Sequence, residues 1–249
     1  MAGHSQFKNI MRRKGAQDAK RGKIFTKIMR EIIVAAKSGA PDPAMNPRLR
    51  AAIIKARAEN MTKDKIEGAI AKGSGAGDAD TYEAVRYEGY GPAGVAVIIE
   101  ALTDNRNRTA PEMRSAFTKF GGSLGETGSV GFMFEHAGVI EYPSAQILED
   151  AMLEAAIEAG AENCETAGDV HSITTSLAQF GEVRDALSKQ FGDPKTAKLS
   201  WLPKISAPVN GEDAEKLMQF IELLEDNDDV QEVYTNAELS ADAQQKLSA

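Results

Sequence analysis

A chain of 249 residues exceeds one typical domain, and 42% hydrophobic content suffices for packed cores, which excludes wholesale disorder. One cysteine, Cys164, excludes an intramolecular disulfide and a cysteine-cluster metal site. The net charge of −8 hides a segregation: the first 72 residues carry 17 Lys/Arg against 6 Asp/Glu, whereas the other 177 carry 12 against 31. A basic front of this kind attracts polyanions, and an acidic body keeps the remainder from adhering to them. No apolar run approaches the roughly 20 residues of a membrane span, and the start lacks the apolar core of a secretory signal. The expectation is a cytoplasmic protein with no membrane partner; an Arg-rich, acid-poor start also has the composition of an organellar transit peptide.

Residues 1–19 are polar and basic, with Lys8, Arg12, Arg13 and Lys14, and read as an arm that orders on binding. From Lys20 to Ser38 the pattern is helical: Ile24, Phe25, Ile28, Ile32, Ala35 and Ala36 share one face. Lys20, Lys23, Lys27, Arg30 and Lys37 fall within about 100° on the other side, with Arg21 in the same basic segment. Gly39 and Pro41 end this helix. Asn46-Pro47 reads as an N-cap with proline at the first helical position, opening a second helix to Glu59. A third runs from Thr62 to Lys72, and residues 74–80 have linker composition.

The acidic body switches to strand periodicity. Glu83–Tyr90 and Gly94–Leu102 read as strands joined by Gly91-Pro92. Thr109-Ala110-Pro111-Glu112 has capping-box spacing and opens a helix to Phe120. Val130–Glu135 and Gly138–Tyr142 read as a hairpin. Further on come a helix over 145–158, a strand at 170–174, a helix over 177–190 and a strand at 198–202. Residues 203–208 read as a second linker, before a helix over 212–225, a strand at 230–234 and a polar tail. Strand pairs separated by single helices imply α+β units with antiparallel sheets.

Several long motifs in order resemble the YebC/PmpR family: Ala2-Gly3-His4-Ser5, residues 17–23 (QDAKRGK), Asn46-Pro47-Arg48-Leu49-Arg50, residues 87–92 (YEGYGP), residues 102–109 (LTDNRNRT), Gly121-Gly122-Ser123-Leu124-Gly125 and Gly128-Ser129-Val130. Phe7 and Phe132 stand where larger aromatics are expected. The family includes bacterial transcriptional regulators and the mitochondrial translational activator of cytochrome c oxidase. The resemblance implies an N-terminal three-helix domain followed by two α+β domains with antiparallel sheets, the third inserted in the second. The expected boundaries are 1–75, 80–133 plus 206–240, and 134–205.

The basic stripe and its arm are the leading site, because each Lys or Arg that neutralises a phosphate releases condensed counterions. The expected nucleic-acid contacts are Lys8, Arg12, Arg13, Lys14, Lys20, Arg21, Lys23, Lys27, Arg30 and Lys37. Arg106 and Arg108 form a second candidate between a strand end and a helix start; their turn reads either as an anion pocket or as a polar loop held by its own capping bonds. Helices two and three could form a helix-turn-helix, or simply pack together. The glycines at 121–131 follow a helix and lack a P-loop ending, so they read as turn glycines. Asp226, Asp228 and Asp229 read as a solvated turn, Met29, Met113, Met152 and Met218 as core fillers, and Cys164 as a small buried group on a helix.

His4, His136 and His171 lack metal-ligand spacing, and no nucleophile elbow is present. The expectation is therefore no catalytic residue, metal, cofactor or small-molecule substrate. The expected function is a non-enzymatic, DNA-binding regulator of transcription. One alternative, implied by the resemblance, binds ribosomal RNA with the ribosome as partner and relieves slow peptide-bond formation. Another is a self-associating scaffold whose basic and acidic parts pair.

Overall fold

The structure, a computed structural model, describes residues 17–75 and 82–243. The expected arm, most of the first linker and the end of the tail lie outside the described residues. Three helices come first: α1 (Gln17–Ser38), α2 (Pro47–Ala58) and α3 (Lys63–Ser74). Then follow β1 (Glu83–Tyr90), β2 (Ala96–Thr103), α4 (Arg106–Lys119), β3 (Ser123–Leu124), β4 (Phe134–Pro143), α5 (Glu149–Glu158) and β5 (Asn163–Ala167). The remainder comprises β6 (Val170–Thr175), α6 (Phe180–Phe191), β7 (Thr196–Pro203), β8 (Ala207–Val209), α7 (Gly211–Asp226), β9 (Val230–Thr235) and β10 (Ala237–Leu239). This is the expected class: three N-terminal helices, then α+β with antiparallel sheets.

The chain divides into two compact units; among the described residues, one holds 17–27, 82–135 and 201–243, and the other holds 28–75 and 136–200. The first unit contains a four-stranded sheet in the order β3-β1-β2-β9. Strand β2 pairs antiparallel with both β1 and β9, so a strand from residues 230–235 completes a sheet begun at 83–103. Val97 and Ile99 of β2 pack on Met113 and Phe117 of α4 and Leu217, Phe220 and Leu224 of α7. The alternate residues Ala96 and Ile98 pack on the other face with Val130, Phe134 and Tyr234. Both faces of β2 are covered over Ala96–Ile99, which is why those four positions read as an unbroken apolar run.

The second unit holds a sheet in the order β5-β6-β4-β7. Ile140, Tyr142 and Ile173 of this sheet meet Met152 and Ala156 of α5 and Val183 and Leu187 of α6. Ile54 of α2 joins the same cluster. Ion pairs Arg50–Asp185 (2.8 Å) and Arg57–Asp193 (3.2 Å) join α2 to the segment around α6. Asn46 links two helix ends. Its Oδ1 accepts from Leu49 N at 3.0 Å, capping α2, while its Nδ2 donates to the Ala35 and Ala40 carbonyls at 2.8 Å. Gly39 makes this possible, since a Cβ there would stand 2.7 Å from Asn46 Nδ2.

Several expectations are corrected. The hairpin expected from Val130–Glu135 and Gly138–Tyr142 is a 3-10 turn, Gly131–Met133, followed by one strand, β4, which runs from Phe134 to Pro143 and pairs with β6. Within β4, the missing side chain of Gly138 admits Thr175 and Phe180, since a Cβ would meet Thr175 Oγ1. The helix expected from Thr109 begins at Arg106, because Asn105 supplies the cap and Thr109 is buried inside. Residues 203–208 are not all linker, since Pro203 ends β7 and Ala207–Val209 form β8, which pairs parallel with β10. Strand β5 is an addition, and Cys164 sits on it, half-buried, where burial and then Glu149 and Glu165 push its thiol pKa up. Met113, Met152 and Met218 are core residues as expected.

Replacing Asn46 with alanine removes a cap and leaves the Ala35 carbonyl without that donor. The expected loss is about 1–2 kcal/mol, read as a lower midpoint in thermal or urea unfolding. Gly39→Ala should reproduce much of it by displacing Asn46.

Candidate nucleic-acid interface

The stripe lysines lie on α1, whose apolar face buries Ile28, Ile32, Ala35 and Ala36 and so turns the charged positions outward. Lys23 Nζ lies 2.6 Å from Asp226 Oδ1 and donates to the Asp226 carbonyl at 3.2 Å. Lys27 Nζ donates to the carbonyl of Glu225. These groups form the last turn of α7, the negative end of its macrodipole, and that turn has no basic residue of its own. Two stripe lysines therefore supply the cations that this helix end lacks. Arg30 is half-buried and Lys37 exposed farther along α1, while Lys20 and Arg21 lie in its first turns. Lys8, Arg12, Arg13 and Lys14 lie outside the described residues.

The second candidate is built around a helix start. Asn105 is extended (φ −149°), and its side chain accepts from Arg108 N at 3.1 Å. Its own N–H donates to Thr103 Oγ1 at 2.9 Å. Arg108 Nη2 donates to Asp104 at 2.9 Å and to Asp229 at 2.7 Å. Arg106 Nε lies 3.4 Å from Glu83. Asp229 is 3% exposed; Thr109 donates to it at 2.7 Å, and the Thr103 hydroxyl lies 3.2 Å away. Burial pushes the Asp229 carboxyl up, but hydrogen bonds from Arg108 and Thr109 and the Arg108 charge hold it below its ordinary value. Hydrogen bonds to Asp229 and then Asp104 raise the Arg108 pKa. These contacts are those of a self-held loop, one of the two readings left open above.

The turn after α7 brings the two candidates to one segment. Within residues 225–229, Glu225 and Asp226 hold Lys27 and Lys23, Asn227 donates to Glu112 at 2.7 Å, and Asp229 holds Arg108. The expectation of a solvated turn is therefore corrected for Asp229, which is buried and paired; Asp226 is exposed. The signal available in the sequence was the spacing of Thr103 and Thr109 around a helix start, two hydroxyls that need a buried acceptor. The acceptor itself lies 120 residues from Thr109 along the chain.

Helices α2 and α3 carry little that reads base edges. The exposed face of α3 presents Lys63, Asp64, Lys65, Glu67 and Lys72, with Lys63 paired to Glu67 at 3.5 Å. It has no Asn, Gln or Arg. In α2, Arg48 pairs with Glu31 at 2.7 Å, and Arg50 and Arg57 hold Asp185 and Asp193. Among the described residues no group of three or more His, Cys, Asp or Glu is placed to hold a metal ion. No described helix is long and apolar enough to cross a membrane.

Residues 5–76 match the model of the TACO1/YebC protein N-terminal domain, and residues 82–237 match that of the TACO1/YebC second and third domain. The chain belongs to the TACO1/YebC family. A solved relative is a conserved hypothetical protein, Aq1575, from Aquifex aeolicus. It is 46% identical, covers 90% of this chain and 92% of its own, and superposes with a TM-score of 0.81. In TACO1/YebC terms, the stripe belongs to the N-terminal domain, and the turn that receives Lys23 and Lys27 belongs to the second and third.

Asp229→Asn removes the negative charge that Arg108 and Thr109 hold, and should cost about 2 kcal/mol at neutral pH. Because the folded-state carboxyl is depressed, its contribution is present above the unfolded pKa and lost as pH falls through the folded value. Urea unfolding at stepped pH should show the variant and the parent converging in acid.

Proposed function

We propose that this chain is a non-enzymatic regulator of gene expression that grips a nucleic-acid backbone through its N-terminal basic segment, as a DNA-binding regulator of transcription. The observation that carries this is the one-sided placement of Lys23, Lys27, Arg30 and Lys37 on α1, continuous in sequence with Lys8, Arg12, Arg13, Lys14 and Lys20. Cations so spaced suit phosphate tracking, which is strong and indifferent to sequence. Membership of the TACO1/YebC family supports a nucleic-acid-related regulator. Lys23 and Lys27 are compatible with this role, since an ammonium has three donors and exchanges an exposed carboxylate for a phosphate at little cost.

A second reading, ribosomal RNA with the ribosome as partner, has a specific observation in its favour. The exposed face of α3 mixes signs, and although its lysines can reach guanine, it lacks the Asn and Gln that pair with adenine and the Arg fork that pairs with guanine. A protein built this way recognises backbone and shape more readily than a promoter sequence. Arg106 and Arg108 belong to the proposed contact in either reading, each having to share its guanidinium with a carboxylate.

Ultraviolet crosslinking in cells, with sequencing of both attached DNA and RNA, separates the two readings. Promoter peaks without RNA would sink the ribosomal reading, and ribosomal RNA reads at one locus would sink the promoter reading. The combined change Lys23→Gln, Lys27→Gln and Arg30→Gln should abolish either signal. Glutamine avoids placing a carboxylate against the end of α7. Persistence of the signal in that variant, with the fold intact by circular dichroism, removes the stripe as the interface.

A further inference from the structure

An aromatic side chain in the first unit stands exposed on a turn that is otherwise anchored from several directions. Residues Gly131–Met133 form a single 3-10 turn between Val130, fully buried, and Phe134, 3% exposed. Both neighbours pack against Ala96, Ile98 and Tyr234 of the sheet. The backbone of the turn is held by Glu88 of β1. Its Oε2 accepts from Val130 N at 3.0 Å and Gly131 N at 2.8 Å, although the residue is only 1% exposed. Arg86 Nε lies 2.9 Å from Glu88 Oε1 as an ion pair, and its guanidinium covers the Trp201 ring at 4.9 Å. On the other side, Lys204 N donates to the Met133 carbonyl at 2.9 Å.

A buried carboxylate is costly, and it is tolerated where paired donors compensate its desolvation. Here the donors are the backbone N–H groups of the turn, so the charge fixes that turn in place. Phe132 gains no burial from this arrangement, for its side chain is 63% exposed. A scattered exposed apolar residue needs no explanation, but one presented on a rigid, charge-clamped turn is preorganised for a planar partner. Lys204, exposed and without an ion pair among the described residues, adds a cation beside the turn. Glu126 and Glu135, also exposed, offset it, so attraction to phosphate here is weak and contact with the ring carries the interaction.

We propose that Phe132 is a stacking platform for an unpaired nucleobase, held in position by Glu88. The inference rests on the nucleic-acid reading above and extends it from backbone gripping to recognition of single-stranded or looped segments. Base stacking on an aromatic face is tolerant of sequence, because every base has a π-face, and it requires a base outside a duplex. Either RNA or single-stranded DNA supplies that chemistry.

The full chain is titrated by fluorescence anisotropy against oligouridylate, oligothymidylate and a duplex of matched length. Phe132→Ala should weaken single-strand binding about tenfold, leave duplex binding unchanged, and leave the salt dependence unchanged, because no phosphate contact is lost. Phe132→Trp should retain or tighten it. Thermal midpoints should match the parent, since the side chain is mostly outside the core. A loss on both single strands assigns the shared base face, and a loss on one assigns that strand as the ligand. An unchanged single-strand affinity, or an equal loss on the duplex, overturns the platform while leaving the stripe reading standing. Failure of the unsubstituted chain to bind any probe overturns the nucleic-acid reading and the platform with it.

Discussion

Asp229 accepts hydrogen bonds from Arg108 and Thr109, lies 3.2 Å from the Thr103 hydroxyl, and through its carbonyl accepts from Leu102 N at 2.8 Å. Those contacts join the end of β2, the first turn of α4 and the approach to β9. A buried carboxylate without such donors would be expelled to solvent or protonated, so the three segments hold their places together or not at all. The 225–229 turn, which also receives Lys23 and Lys27, inherits its position from this junction. The cations ascribed to ligand binding are thereby tied to the same structural joint.

That arrangement changes how the basic front should be understood. A cationic stripe facing only water would present its full charge to phosphate. Here two of its lysines already neutralise the end of α7, where the helix dipole and two acidic residues concentrate negative charge. Nucleic acid would compete with a weak internal acceptor, and the exposed Asp226 is the member of the pair most readily displaced. The acidic body is not merely repulsive padding, for it supplies internal partners that the segregated charges of the sequence imply but do not locate.

Legibility followed the range of the interactions. The helices α1 to α3, the cap at Asn46 and the antiparallel class of the two four-stranded sheets are readable, because periodicity, capping and turn chemistry act over a few residues. The cap of α4 lies four residues before the one the sequence suggests, because Thr109 and Glu112 mimic a capping box while the buried acceptor for Thr109 lies far along the chain. The sequence splits β4 at residues 136–137, because the reason for Gly138, the close approach of Thr175 and Phe180, belongs to tertiary packing. Of the candidate site, residue types and the helical face were legible. The pairing of Lys23, Lys27 and Arg108 with one acidic turn was not, nor was the grip of Glu88 on residues 130–131, since each joins elements distant in sequence.

The return of β9 to β2 sets an order on synthesis. Until residues 230–235 leave the ribosome, β2 has a partner on one side only, and the run Val97-Ile98-Ile99 forms an open edge. Residues 136–200, with the sheet β5-β6-β4-β7, are complete well before that point and have their own core. Residues 136–200 can therefore fold while the earlier strands still wait for residues 230–235. A nascent chain arrested short of residue 230 carries an unprotected apolar edge, and translation through residues 230–235 decides whether the first sheet is a finished structure or a nucleus for aggregation.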